Sequence, residues 1–283
     1  MGKILSAIDF SDCSINAFLH ALSIAQKCKC DLEMIWVNKP DSQKEKYIEP
    51  KVDLAADVKK KLEDLVEKYQ PELPEGKLTY KIRKGKVYKE MAAEAKTQKA
   101  MLVVAGTHGA SGFEEFWIGS NAFRVVTACP KPVISIRGGV NIKKNLERIV
   151  MPIDSTIETR QKVPFTAYIA GIFDAEVHIL SIYSSDVDNI RNLVDGYSEQ
   201  VKEHLEEENI RYKVVPMPCE NLTDATIEYA HKIDANLISI MTEQESSTSN
   251  LWMGTYAHQT VNHSPIPVLS IHPKETYSAG SSF

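Results

Sequence analysis

The chain repeats itself, because short apolar segments of its first half return in the same order in its second half. The four matched pairs are KILSAID (3–9) with RIVMPID (148–154), DLEMIWV (31–37) with EVHILSI (176–182), KAMLVV (99–104) with DANLIS (234–239), and CPKPVISI (129–136) with SPIPVLSI (264–271). The repeated unit is about half of the 283 residues, which is far longer than a solenoid repeat. The sequence therefore predicts two duplicated domains.

Within each half, short apolar runs alternate with longer segments of helical period, as in parallel strands joined by helical crossovers. In the first half the predicted strands are Lys3–Ile8, Asp31–Val37, Leu78–Ile82, Met101–Ala105 and Val133–Ile136. The predicted helices run from Ser11 or Asp12 to Lys27, and over Val52–Tyr69, Val87–Thr97 and Ser120–Ala128. The pattern indicates an α/β fold of two tandem doubly wound domains, each a five-stranded parallel sheet with helices on both faces.

The boundary between the halves falls in the segment RGGVNIKKNL at 137–146, which has two glycines and a charged run. We place the domains at 1–142 and 143–275 and expect a flexible tail at 276–283. The last strand of each half follows a proline and is expected at a sheet edge, where strands pair readily.

Composition excludes several partners and compartments. A net charge of −5 gives no basic footprint for nucleic acid, and no window approaches the ~20 apolar residues of a membrane span. The start MGKILS formally fits a myristoylation pattern, but Ile4 and Leu5 are better explained as part of a buried strand. Five cysteines without a CxxC spacing favour reduced thiols. We therefore expect a cytoplasmic protein without a nucleic-acid or membrane partner.

A glycine-containing stretch carries the strongest chemical signal. The sequence GTHG at 106–109 follows a predicted strand, and after nine residues GSN at 119–121 opens a predicted helix. Glycines allow tight turns and close backbone approach, and amides at a helix start favour phosphate. Ser120 can either cap the helix or bind a phosphate oxygen. A glycine-rich loop by itself is weak evidence of phosphate binding.

The first strand ends in AIDFS at 7–11, which brings the Asp9 carboxylate to the same edge of the sheet. Together with the G-x2-G-x9-G-S spacing, this strand-ending aspartate resembles the universal stress protein family. The resemblance covers both halves and implies a sheet similar to that of the adenine nucleotide alpha hydrolases. The nucleotide motif is complete in the first half alone.

The resemblance implies that two sets of residues hold an adenine nucleotide. The residues expected near adenine and ribose are Ala7, Ile8, Asp9, Phe10, Ser11 and Val37. The residues expected near the phosphates are Gly106, Thr107, His108, Gly109, Gly119, Ser120 and Asn121. Ala7 departs from the proline that the family often has, which the second half keeps as Pro152. Because the loop lacks Lys and Arg, AMP or ADP could bind as well as ATP, with or without Mg²⁺.

The second half has lost part of this pattern. Met241 and Gln244 align with Gly106 and Gly109, although Gly254 and Thr255 keep the helix-opening pair and Asp154 is retained. Bulky side chains would block the approach of the backbone to a phosphate. The sequence therefore predicts a degenerate second site, with a different small ligand as the alternative.

Some of these residues also have purely structural interpretations. Asp9 could be a helix cap, and His108 could orient the loop without touching phosphate. His258, His263 and His272 do not have the spacing of a zinc site, so no metal is predicted. Trp36, Trp117 and Trp252 are expected to be packing residues.

The leading functional hypothesis is a nucleotide-dependent stress-response sensor or regulator. Neither a P-loop nor a nucleophile with a recognisable base is present, so no catalytic residue is assigned. The alternatives are a slow ATPase or adenylyl-transfer enzyme, and a ligand-free scaffold that binds an unknown protein partner. The resemblance further implies that Val133–Ile136 and Val268–Ile271 pair antiparallel about a twofold axis, as an intramolecular pseudo-dimer.

Overall fold

The computed structural model describes residues 2–38, 54–107, 120–137, 145–242 and 254–273. Its strands are β1 Lys3–Ala7, β2 Asp31–Asn38, β3 Leu78–Lys84, β4 Leu102–Gly106, β5 Val133–Ile136, β6 Arg148–Ile153, β7 Glu176–Tyr183, β8 Tyr212–Pro218, β9 Leu237–Met241 and β10 Val268–Ile271. Its helices are α1 Asp12–Cys28, α2 Leu54–Tyr69, α3 Val87–Thr97, α4 Ser120–Ala128, α5 Val163–Phe173, α6 Asp188–Glu207, α7 Leu222–Lys232 and α8 Thr255–His263. No helix within these ranges is long and apolar enough to cross a membrane.

The strands form one sheet in the order β3-β2-β1-β4-β5-β10-β9-β6-β7-β8. Each half has the same internal order, and its strands pair in parallel. Within each half the strand order reverses once, between β1 and β4 and again between β6 and β9. The prediction of two tandem doubly wound α/β units is confirmed.

Element bounds in the first half agree closely with the sequence pattern. The five predicted strands match the observed ones to within two residues at each end, and α3 and α4 have the predicted limits. The predicted start of α2 at Val52 lies outside the described residues, as do the proposed domain boundary at residue 143 and the tail.

Two apolar clusters cover the two faces of the sheet. The first includes Phe18 of α1 and Leu62 of α2, and it continues into the second half through α5 and α6. The second cluster includes Met91 of α3 and Val125 of α4 and continues through α7 and α8. Because the strands are covered on both faces, their near-continuous apolar runs are explained.

β5 and β10 join the two halves by antiparallel pairing. Leu269 lies opposite Ile134, Val268 opposite Ser135 and Ser270 opposite Val133. Ile134 and Leu269 are equivalent residues of the repeat, so a local twofold axis passes between them. Each strand therefore covers the edge that the other half would otherwise expose.

Candidate functional site

The turn after β1 is built around the Asp9 side chain. Its Oδ1 accepts hydrogen bonds from the Ser11 backbone N–H at 3.1 Å and from the Ser11 hydroxyl at 2.6 Å. Ser11 is also the N-cap of α1, since its hydroxyl oxygen accepts from the Ser14 N–H at 3.2 Å. Phe10 between them has a φ of 65°, a left-handed conformation that is uncommon for residues other than glycine. The carboxylate therefore stabilises the turn that begins the first helix.

The second half repeats this turn with different residues. Asp154 Oδ1 accepts from the Thr156 N–H at 2.9 Å and from the Thr156 hydroxyl at 2.6 Å. The Asp154 N–H donates to the Thr159 hydroxyl at 3.2 Å, as the Asp9 N–H does to the Ser14 hydroxyl at 3.2 Å. The second half keeps this turn although it lacks two of the loop glycines. The aspartate is therefore explained in both halves by its hydrogen bonds within the turn.

The other predicted adenine-facing residues fall on different faces of the sheet. Ile8 and Phe10 pack against the first apolar cluster, and the Ile8 N–H donates to the Ile35 carbonyl at 3.0 Å. Ala7 and Val37 pack against the second cluster. The alternation of side chains along a strand accounts for the separation of Ala7 from Ile8.

Gly106 ends β4 beside the first turn of α1. A Cβ atom at this position would lie 2.8 Å from the Cys13 Sγ and 2.9 Å from the Cys13 carbonyl oxygen. Gly106 does not have a positive φ, so its backbone conformation does not itself require glycine. Close packing of β4 against α1 requires the glycine.

Thr107 is buried, and its backbone N–H donates to the Ile136 carbonyl at 2.7 Å. The same carbonyl lies 3.4 Å from the Cys13 Sγ, whose S–H donates to it. The Thr107 amide thus extends the pairing of β4 with β5 and is already used within the protein.

The remaining phosphate-loop residues are described incompletely. His108, Gly109 and Gly119 lie outside the described residues. Ser120 is the first residue of α4, and Asn121 follows it in a partly exposed position. β4, which precedes the loop that leads to α4, lies next to β1, which precedes the Asp9 turn.

Two buried side chains distinguish the corresponding region of the second half. Met241, which aligns with Gly106, is fully buried at the end of β9. Lys162 is also fully buried, and its Nζ donates to the Thr159 carbonyl at 2.6 Å and to the Thr159 hydroxyl at 3.1 Å. Burial lowers the pKa of Lys162 to about 8, although the Asp154 carboxylate acts in the opposite direction.

A proline explains why the second half winds differently here. Residues Ile157–Lys162 form a 3₁₀ helix, and α5 begins only at Val163. Pro164 cannot donate to the Arg160 carbonyl, and its ring would clash with that carbonyl in a continuing α-helix. Proline is tolerated in a first helical turn, so α5 starts immediately before it.

Sequence reasoning missed Cys13, Ile136 and Lys162. Cys13 and Ile136 reach the site through packing between distant segments, for which a single sequence gives no signal. The sequence did contain a signal for Lys162. Pro164 marks a helix start, and the repeat aligns Lys162 with Ala17, a small residue of α1.

The family model described as universal stress protein matches residues 1–137 and again residues 145–272. A solved universal stress protein from Archaeoglobus fulgidus has 17% identity and a TM-score of 0.71, covering 96% of this chain and 97% of that protein. A functionally unknown protein from Pseudomonas aeruginosa has 14% identity and a TM-score of 0.67, covering 96% and 92%. Among curated proteins, none matches this chain.

Proposed function

The chain belongs to the universal stress protein family, and we propose that its N-terminal half binds an adenine nucleotide and acts as a nucleotide-dependent stress-response sensor. The observation that carries this proposal is the adjacency of β1 and β4. Strand order reverses between them, and in doubly wound sheets such a point opens a crevice at the carboxyl ends of the strands. The Asp9 turn and the Gly106 loop both begin at this edge.

Each group has a definite role in the proposal. Asp9 is held by Ser11 and faces the ribose hydroxyls, which are donors that a carboxylate accepts. Backbone amides of Gly109, Gly119 and Ser120, together with the Ser120 hydroxyl, bind the phosphates at the start of α4. Thr107 contributes its side chain, because its amide already donates to Ile136. In this proposal the second half binds no nucleotide, since Met241 replaces Gly106 and Lys162 is buried near the Asp154 turn.

Thermal unfolding of the nucleotide-stripped full chain tests the proposal. ATP, ADP and AMP are each added at millimolar concentration, with and without Mg²⁺. A ligand bound by the folded state alone stabilises it by about 2.7 kcal/mol at 100 times its Kd. Isothermal titration calorimetry is expected to give one nucleotide per chain.

Three variants locate the ligand. Gly109→Gln copies Gln244 of the second half and should abolish the stabilisation. Asp9→Asn keeps an oxygen that accepts from Ser11, so it tests the charge without removing the turn. Gly196→Gln is the matched control, since an added Cβ at Gly196 meets no atom within 4 Å. Absence of stabilisation by every nucleotide would overturn the proposal and favour a ligand-free scaffold, whereas nucleotide-dependent phosphate release would indicate an ATPase.

A further inference from the structure

A groove in the second half lies outside the crevice discussed above. It runs between the 3₁₀ helix and the start of α5 on one side and α6 on the other, and its volume is about 390 Å³. Small-molecule sites commonly occupy ~300–1,000 Å³. Val163 and Val201 are buried lining residues, and Pro164 and Ile157 are exposed ones. Ile157 is 62% exposed, which leaves a large apolar side chain in water at this groove.

Arg160 supplies a positive charge to this groove. Its guanidinium carbon lies 4.1 Å from the centroid of the Tyr197 ring, and its Nη1 donates to the Gln200 side-chain oxygen. These two contacts hold the planar group in one orientation. Its Nε–H has no hydrogen-bond partner among the described residues, which is costly for a buried donor.

Among the described residues, Arg160 differs from four other arginines in having no carboxylate nearby. Arg83, Arg148, Arg191 and Arg211 each lie within 4.0 Å of a carboxylate. Arg160 has no such partner in the described part of the chain. A preorganised guanidinium beside an apolar surface is complementary to an anion that carries an apolar group.

The first half lacks this combination. Repeat equivalents of Arg160 and Pro164 are Ile15 and Leu19, and both pack against the apolar cluster beneath α1 and α2. The groove with its arginine is therefore specific to the second half, where Pro164 imposes the 3₁₀ helix and Arg160 replaces an apolar residue.

We propose that this groove binds a small amphipathic carboxylate, with the carboxylate on Arg160 and an alkyl chain along Val163, Val201 and Ile157. Arginine presents parallel N–H donors that match the two oxygens of a carboxylate. The alkyl chain would shield the exposed Ile157 from water, which is favourable in proportion to the apolar area covered. The proposal is independent of nucleotide binding in the first half.

Calorimetric titration of the full chain with octanoate tests this site, at concentrations below those at which octanoate forms micelles. The expected result is one octanoate per chain. Octanol lacks the charge and acetate lacks the chain, so each should bind at least about tenfold more weakly. Saturating ATP should leave the octanoate affinity unchanged.

Variants separate a specific site from general adsorption. Arg160→Gln should weaken octanoate binding by about tenfold or more, because the charge-assisted hydrogen bonds are lost. Arg191→Gln is the matched control, since Arg191 of α6 also lies over an aromatic ring, with its guanidinium carbon 4.9 Å from the centroid of the Tyr183 ring. Ile157→Glu places a negative charge beside the carboxylate at an exposed position and should weaken binding as well.

Several outcomes would overturn the proposal. They are equal affinity for octanoate and octanol, unchanged binding in both folded variants, several octanoates per chain, and no binding at all. Binding to anionic lipid vesicles without binding to free octanoate would also overturn it, because the surface would then recognise a membrane.

Discussion

Gly106 and Gly196 contrast two reasons why a chain contains glycine. At Gly106 a Cβ would meet the sulfur, the carbonyl oxygen and the carbonyl carbon of Cys13 at 2.8 to 3.0 Å, whereas at Gly196 it would meet nothing within 4 Å. Gly196 lies within α6, where glycine is less favourable than alanine.

Substitution by alanine should therefore have opposite effects at these two sites. Gly106→Ala is expected to destabilise the protein by about 1–3 kcal/mol, because overpacking must move the first turn of α1. Gly196→Ala is expected to stabilise it by about 0.5–1 kcal/mol. Urea unfolding followed by circular dichroism measures both changes. Equal effects of the two substitutions would contradict the packing explanation for Gly106.

His20 is a buried histidine of α1 whose two ring nitrogens have no hydrogen-bond partner among the described residues. Burial lowers the pKa of His20 from 6.5 to about 4. Between these values the unfolded chain binds a proton that the folded chain does not, so stability is lost as the pH falls from 6.5 toward 4. The full shift corresponds to about 3 kcal/mol.

His20→Phe, which copies Phe165 of the second half, should stabilise the protein at pH 7 by about 1–3 kcal/mol, because an unpaired polar group is removed. The advantage should increase at pH 4.5. Urea midpoints at both pH values measure it, and His231→Phe, at an exposed position on α7, is the control at pH 7. A variant that is no more stable than the wild type at pH 4.5 would refute this account of His20.

At the scale of elements, the 3₁₀ helix Ile157–Lys162 replaces the first turns of an α-helix and buries an ammonium group. Lys162 has a pKa of about 8 in the folded protein and an ordinary value of 10.5 when unfolded. Between pH 8 and 10.5 the unfolded chain therefore holds more protons, and rising pH favours the folded state.

Lys162→Met should remove this contribution. The stability of the wild type relative to the variant is expected to increase between pH 7.5 and 9.5, by up to about 2 kcal/mol. Guanidinium unfolding at the two pH values measures the difference, and Lys232→Met, at an exposed lysine of α7, is the control. Parallel pH trends in wild type and Lys162→Met would show that folding does not lower the pKa of Lys162.

Elements that depend on local pattern were predictable from the sequence, whereas elements that depend on a distant partner were not. β5 and α3 have the predicted limits because apolar periodicity and flanking prolines or glycines define them. Asp9 was singled out from its position after a strand, although the residue that caps α1 is Ser11. The role of Gly106 was not predictable, because it depends on contact with Cys13 of α1. A glycine in the sequence is compatible with either a turn or close packing, so the residue type does not distinguish them.

Buried polar pairs show the same limit. Glu33 and Glu94 are buried in the first half, and Lys81 lies 3.5 Å from the first carboxylate and 3.0 Å from the second. Their repeat equivalents are His178 and Tyr229, where the histidine Nδ1 lies 2.8 Å from the tyrosine hydroxyl. A repeat alignment cannot identify either pair, because all four residues change type and each pair joins a strand to a helix.

At the scale of the whole molecule, contacts between the two halves lie on both sides of β5 and β10. Phe123 of α4 and His258 of α8 are repeat equivalents, and their rings meet edge to face with centroids 5.0 Å apart. His272 Nε2 lies 2.6 Å from the Val126 carbonyl oxygen, and Arg137, its equivalent, donates to the His263 carbonyl at 3.4 Å. The two halves therefore contact each other through equivalent elements of the repeat.

This arrangement predicts that a fragment of residues 1–142 forms a homodimer. Without the second half, β5 is an uncovered sheet edge. In the full chain Leu269 lies opposite Ile134, so in a dimer of fragments the Ile134 residues of the two copies would lie opposite each other. Light scattering after size-exclusion chromatography should give twice the fragment mass. Phe123→Glu should make the fragment monomeric, since two carboxylates would meet at the axis, yet the full chain should tolerate the change because His258 faces that position. A fragment that is folded and monomeric without this substitution would show that the β5–β10 contact depends on residues particular to the second half.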